Sequence, residues 1–219
     1  MGIIAKNIKK TIGSPPINIL NNINLEIHDA DFIALTGRSG SGKSSLLYLL
    51  STLDTPSTGS ITIDDNNVTA MNKEQIAAFR NEKMGFVFQF HYLISELTAI
   101  ENVLLPTMKT KIDVSKKEYA THLLEQFDLK DKMKRLPRQL SGGELQRVAI
   151  ARSLIMQPKY LFADEPTGSL DSVNGEHIMQ ILANLNKNSS TTIILVTHDI
   201  DFAKYAKKQI TLSDGAIIN

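Results

Sequence analysis

Along the chain, short apolar strands give way to helical spacing and then return. INLEIH (23–28) alternates like a half-buried strand, and DFIALT (31–36) is a continuous run of the kind covered on both faces. LLYLLSTL (46–53) reads as a helix, DTPSTG (54–59) as a turn, SITID (60–64) as a strand and Lys73–Arg80 as a helix. MGFVFQF (84–90) is another apolar strand. The middle changes period: SKKEYATHLLEQFDL (115–129) places Tyr119, Leu123, Leu124 and Phe127 at helical spacing, and ELQRVAIARSLI (144–155) is helical too. Strands resume with KYLFAD (159–164), and a helix follows with Ile178, Ile181, Leu182 and Leu185 on one stripe. TTIILVT (191–197) is a strand and QITLSDGAIIN (209–219) a terminal hairpin. The pattern predicts one α/β domain over residues 1–219: a core with a mixed β-sheet from 1–90 and 156–219, and an inserted helical subdomain over 91–155.

Between the DFIALT strand and the LLYLL helix stands GRSGSGKSS, residues 37–45. Gly37, Arg38, Ser39, Gly40, Ser41, Gly42, Lys43 and Ser44 fit G-x-x-x-x-G-K-[ST], with Ser45 next. Glycines let the backbone curl until successive N–H groups point at one anion, and the helix that follows adds its positive end. Lys43 is placed to reach the β- and γ-phosphates, and the Ser44 hydroxyl to ligate Mg²⁺. The motif itself says only nucleoside triphosphate. KYLFADE complements it: an apolar strand ending in Asp164 puts a carboxylate beside the loop, able to hold Mg²⁺ through water. Glu165 is the candidate base that polarises the attacking water.

LSGGE (140–144) opens the helix LQRVAIARSL. Ser141 and Glu144 form a capping box. That leaves Gly142 and Gly143 unexplained, since each weakens a helix by up to ~1 kcal/mol relative to alanine. Bare backbone at a helix start suits close approach of an anion. One chain with two phosphate-facing half-sites points to a two-fold dimer in which each γ-phosphate lies between the loop of one copy and LSGGE of the other.

Composition narrows the class. The chain has 24 basic and 23 acidic residues, a net charge of +1, and its lysine pairs form no stripe, so no nucleic-acid partner is expected. There is no cysteine, which excludes disulfides and thiolate metal sites. MGIIAKNIKK lacks the apolar segment of a signal peptide. No apolar run approaches the ~18 residues of a membrane span. Direct membrane insertion is not expected, and any membrane role comes through a partner.

Taken together, GRSGSGKS, LSGGE, FADE, SLD (169–171) and THD (197–199) resemble the ATP-binding subunit of an ABC transporter, over nearly the whole chain. The resemblance implies a P-loop NTPase of the ABC ATPase type that hydrolyses ATP with Mg²⁺, a homodimer with composite ATP sites, and integral membrane permease subunits as partners. It implies that Gln89 senses Mg²⁺ and links the site to the helical block, that Asp171 communicates across the dimer, and that His198 contacts the γ-phosphate. No role is implied for His28, His91, His122 or His177. LDTPSTG, GFVFQFHYLISELTAIENVLLP and FADEPTGSLDS look like the group serving lipoprotein-releasing complexes, macrolide-export pumps and a cell-division pair. QFHYLI with LTAIENV is most similar to the lipoprotein-releasing ATPase, which implies work at the cytoplasmic face of the inner membrane. The alternatives are a regulatory ATPase of a division complex and an export ATPase. In the same reading Phe90–Pro106 receives the permease's coupling helix; the other reading is that Tyr92, Leu93, Leu97 and Ile100 pack the helical block. The chain departs from the family where an aromatic residue usually stacks on adenine: Ile12 stands there, and no aromatic precedes Phe32.

Overall fold

Two long strands open the fold, β1 (Gly2–Ile12) antiparallel to β2 (Ile17–His28). Ile3, Ala5 and Ile8 from the first and Leu20, Ile23 and Ile27 from the second are buried. The period-two spacing slips between Ala5 and Ile8, where the ladder bulges, and Asn7 and Asn22 both sit at φ 51°. Asparagine tolerates that left-handed backbone, and the extra residue re-aims the following side chains at the core. In the computed structural model, residues 2–109 and 114–218 are described; positions 110–113 of the expected helical block and position 219 of the expected hairpin lie outside them.

β3 (Phe32–Thr36) runs into the glycine loop and α1 (Lys43–Leu50). β4 (Thr58–Ile63) and β5 (Asn66–Asn67) then complete a four-stranded sheet in the order β2-β1-β4-β5. α2 (Lys73–Lys83) begins at a capping box of Asn72 and Gln75 and leads to β6 (Met84–Phe88). α3 (Ala99–Leu104), α4 (Val114–Gln126) and α5 (Gly142–Leu154) follow before β7 (Tyr160–Asp164). The chain ends with α6 (Ser172–Ser189), β8 (Thr192–Val196), α7 (Ile200–Ala203), β9 (Lys208–Ser213) and β10 (Ala216–Ile217). The second sheet has six strands in the order β10-β9-β3-β8-β7-β6, parallel except for β10.

The apolar runs of β3, β7 and β8 are continuous because both faces of the sheet are covered. Within each run the faces still alternate. Ile33, Leu35, Phe162, Ile194 and Val196 pack toward α1 and the smaller sheet. Phe32, Ala34, Leu161, Ala163, Ile193 and Leu195 pack toward α5 and α6. The parallel strands therefore release their carboxyl ends at one edge, where crevices in open α/β sheets bind ligands. The three segments leaving β3, β7 and β8 are the glycine loop, Glu165-Pro166 and Thr197-His198.

A polar tie links the two sheets at the opposite end of the strands, where β7 begins. Asp64, just after β4, accepts from the Lys159 ammonium at 2.6 Å and the Tyr160 hydroxyl at 2.8 Å. Burial pushes the Asp64 carboxyl up, but these two hydrogen bonds and the Lys159 charge outweigh it and hold the group below its ordinary value. Among the described residues no helix is long and apolar enough to cross a membrane.

Several boundaries differ from the sequence reading, two of them beside the candidate site. β6 stops at Phe88, so Gln89 and Phe90 begin a loop, and α5 starts at Gly142, two residues before the expected Glu144. In the second case the Ser141 cap and Glu144 define the start.

Candidate active site

The loop after β3 is shaped by glycines at positive φ. At Gly37 (φ 136°) an added Cβ would lie 2.2 Å from the Leu212 carbonyl oxygen, and at Gly42 (φ 99°) 2.8 Å from Leu20. Both positions are closed to other residues by conformation and by space. Gly42 is the N-cap of α1 and has no side chain to satisfy the first N–H groups, which are left for a ligand. Lys43 is 7% exposed, and its ammonium is held by the carbonyls of Gly37 (3.0 Å) and Arg38 (2.9 Å) rather than by a carboxylate. A buried cation whose charge is not neutralised favours an anion. Among the described residues the buried Ser41 Oγ has no hydrogen-bond partner, and an oxygen-rich ligand would supply one.

β7 brings its acid against the loop. Ser44 Oγ donates to Asp164 Oδ1 at 2.9 Å. The Ser44 proton is thus directed at Asp164, and its lone pairs are left for a cation. Glu165 follows at φ 46°, a left-handed conformation uncommon for a residue with a side chain. Its N–H bonds the Val196 carbonyl at 2.9 Å, and its carbonyl accepts from Gly168 N–H at 3.0 Å. Its carboxylate, about a quarter exposed, has Oε1 3.2 Å from His198 Nδ1. One cavity is lined by Ser39, Gly40, Gly42, Lys43, Ser44 and Ser45 on the loop side, by Glu165 and His198 opposite, and by Ile19 from β2. Loop amides, a cation, a hydroxyl and a carboxylate–imidazole pair suit a polyphosphate with a divalent cation.

The remaining candidates gather elsewhere. Ser141 and Glu144 make the expected capping box: Ser141 N–H donates to Glu144 Oε2 at 2.7 Å, and Glu144 N–H to Ser141 Oγ at 3.3 Å. The bond from the Ser141 backbone, with the serine hydroxyl and Lys132, holds the Glu144 carboxyl below its ordinary value. Gly142 is exposed, and Gly143 is packed so closely that an added Cβ would lie 2.5 Å from Asn174 Oδ1. Asn174 is held in turn by Asp171 through its backbone N–H (2.9 Å) and its side-chain amide (2.7 Å). LSGGE and Asp171 of one chain are therefore linked through Asn174, and Ser141, Gly142 and Gly143 do not line the loop cavity. Asp171 shares a neighbouring cleft with Glu165 and His198. Gln89 is also absent from the loop cavity; its side chain lies against Gly168, where an added Cβ would come within 2.9 Å of Nε2.

The family model for "ABC transporter" matches residues 20–168. This chain belongs to the ABC transporter family. The ABC chain is 53% identical, over all of its length and 91% of the relative's, to the lipoprotein-releasing system ATP-binding protein LolD of Leptospira interrogans. It is 45% identical to the protein of the same description from Aquifex aeolicus, over 98% of this chain and 95% of that one. Among solved structures, the ATP-binding cassette MJ0796, in a dimeric post-hydrolysis state bound to ADP and Pi, superposes with a TM-score of 0.91. That match has 39% sequence identity and covers 99% of this chain and 97% of the other. The expected α/β P-loop fold of the ABC ATPase type is the one observed, and ATP is the nucleotide this family binds.

Two residues of the ABC site carried no signal in the sequence. Tyr48, inside the apolar run of α1, donates its hydroxyl to Asp164 Oδ2 at 2.8 Å. Gln146, on α5 and fully buried, donates to the carbonyls of Pro166 (2.7 Å) and Phe88 (3.3 Å). It fastens the LSGGE helix to the segment just after Glu165 and to the end of β6.

Next to these lies an aromatic groove. Phe86 and Phe88 stack with centroids 6.0 Å apart, and Tyr92 meets Phe88 edge-on at 5.4 Å. Arg152, on α5, donates to the carbonyls of His91 (2.7 Å) and Tyr92 (2.6 Å) and so holds Tyr92 at φ 46°. Phe90 and Tyr92 are exposed, whereas Leu93 and Ile100 pack onto the core. Of the residues that could pack the helical block, Leu93 and Ile100 do so and Tyr92 does not.

Proposed function

We propose that this chain is the ATP-hydrolysing subunit of a complex in which two copies drive an integral membrane permease, and that the complex releases lipoproteins from its membrane. The observation that carries the ATPase reading is the single cavity that sets Lys43 and Ser44 opposite Glu165 and His198. The cargo class rests on the full-length similarity to lipoprotein-releasing ATP-binding subunits. In this reading the chain works at the cytoplasmic face of the inner membrane, held there by the permease through the groove of Phe86, Phe88 and Tyr92.

Lys43 and the amides of residues 37–45 bind and orient the phosphates. Mg²⁺ would be held by Ser44, with Asp164 through water and Gln89 from the loop after β6, and would offset charge on the phosphate oxygens. Glu165 polarises the attacking water, and the imidazole of His198 fixes its carboxylate before the phosphate chain arrives. Ser141, Gly142 and Gly143 of a second copy close the site over the γ-phosphate. Asp171 joins LSGGE of its own chain to the cleft beside Glu165, a route by which one site reports to the other.

Base recognition is weak in this arrangement. Ile12 stands 51% exposed beside Ile17 at the hairpin tip, and Ile19 is the apolar residue lining the cavity. Aliphatic cover forgoes an aromatic stacking contribution of ~0.5–1.5 kcal/mol. GTP is therefore expected to compete with ATP to within about tenfold. A competition titration showing a much larger preference for ATP contradicts this.

The function is tested by capture from native membranes, with tagged Glu165→Gln protein as bait in ATP and Mg²⁺. The expected co-purifying protein is a permease pair with large extracytoplasmic domains, carrying lipoprotein. Recovery of a single self-paired permease without lipoprotein overturns the cargo, in favour of export or division. Recovery of no membrane protein overturns the transport reading.

A further inference from the structure

α1 places two donors on one carboxylate. Ser44 and Tyr48 are four residues apart and so share a helix face. Both reach Asp164 at the end of β7, Ser44 on Oδ1 at 2.9 Å and Tyr48 on Oδ2 at 2.8 Å. A carboxylate turns easily about its last torsion, whose profile is broad and two-fold. A donor on each oxygen removes that freedom. We propose that Tyr48 is a positioning residue of the cation site, its phenol pinning the second oxygen of Asp164 so that the first stays aligned with the Ser44 hydroxyl. The inference rests on the ATP·Mg²⁺ reading of this cavity.

The surroundings suit that role. The ring of Tyr48 packs on the core formed by α1 and the two sheets, so the phenol is delivered by a rigid element rather than a loop. Burial, then the hydrogen bond to Asp164 and the charge of Asp164, raise the phenol's pKa well above its ordinary value. Its hydroxyl donates to Asp164 Oδ2. With Ser44 and Tyr48 in place, each oxygen of Asp164 keeps one free lone pair. The carboxylate can then accept from a water on the cation without giving up either tether. Without Tyr48 the carboxylate has to be ordered when the cation arrives, and the cost falls on metal affinity, not on nucleotide contacts made by the loop.

The test uses Mn²⁺ as a spectroscopic probe. Mn²⁺ binding in the presence of ADP is measured by electron paramagnetic resonance, and ADP binding in excess EDTA by calorimetry. Tyr48→Phe keeps the ring and its packing. It is expected to weaken Mn²⁺ about fivefold, the size of one lost hydrogen bond, and to leave ADP binding in EDTA unchanged. The Mg²⁺ concentration for half-maximal hydrolysis should rise by a similar factor, with the rate at saturating Mg²⁺ retained. In an Asp164→Asn background, Tyr48→Phe should have no further effect on Mn²⁺. Unchanged or tighter Mn²⁺ binding overturns the inference, as does an equal loss of ADP binding in EDTA, which would mark a structural role only. A parent protein that binds ADP neither with Mn²⁺ nor without it overturns the functional reading itself, and the inference with it.

Discussion

Glu165→Gln protein binds ATP like the parent and hydrolyses it about 10²- to 10⁴-fold more slowly, the range a positioned base contributes. Glutamine preserves the size of the side chain and removes the charge that draws a proton from water. The left-handed backbone at residue 165 is fixed by main-chain bonds to Val196 and Gly168, which the substitution leaves in place. Its remaining effect is on His198, whose Nδ1 lies 3.2 Å from Glu165 Oε1. An amide of the same size fits the same place beside the ring, so the loss is in chemistry and not in architecture. Single-turnover hydrolysis, compared with equilibrium ATP binding, separates the two. Hydrolysis at the parental rate assigns the base to another residue.

Lys43→Ala has a comparable effect at an earlier step. Nucleotide affinity should fall about 10²-fold, as expected for loss of a charge-assisted contact worth about 2–3 kcal/mol. The lysine is prepositioned: its ammonium already lies inside the loop on the Gly37 and Arg38 carbonyls, 3.0 and 2.9 Å away. The substitution removes the cation and also frees those carbonyls, so the loop loses shape as well as charge. Lys43→Arg should not restore binding, because a planar fork cannot occupy the place of a compact ammonium. Calorimetric titration with ATP reads the loss directly; parental affinity in the alanine protein contradicts the phosphate role.

How far the molecule was legible in its sequence follows from where local rules hold. β3, β7 and β8 read correctly because strands covered on both faces leave unbroken apolar runs. The glycine loop stands between β3 and α1 as expected, because its tight backbone requires glycine at positions that local sequence records. β1 has no clean signature: its bulge at Asn7 breaks the alternation between Ala5 and Ile8. Gln89 fell outside its expected strand because β6 ends at Phe88, and the sequence carries no stop there. Tyr48 and Gln146 were hidden for a different reason. Each occupies a position in a largely apolar helix, and their partners, Asp164 and the Pro166 and Phe88 carbonyls, are brought near only by tertiary packing. The two glycines of LSGGE stood out because they violate helix propensity. Their separation from the loop cavity within one chain is a fact of the fold alone.

That separation is what the proposed two-copy site has to bridge. The most direct measurement is sedimentation of purified Glu165→Gln protein with and without ATP·Mg²⁺. A composite site predicts a particle of 24.3 kDa without nucleotide and one of twice that mass with it. The dimer should be lost again when Gly143 is replaced by a bulky residue. A particle that remains monomeric while saturated with ATP would contradict a site built from two copies.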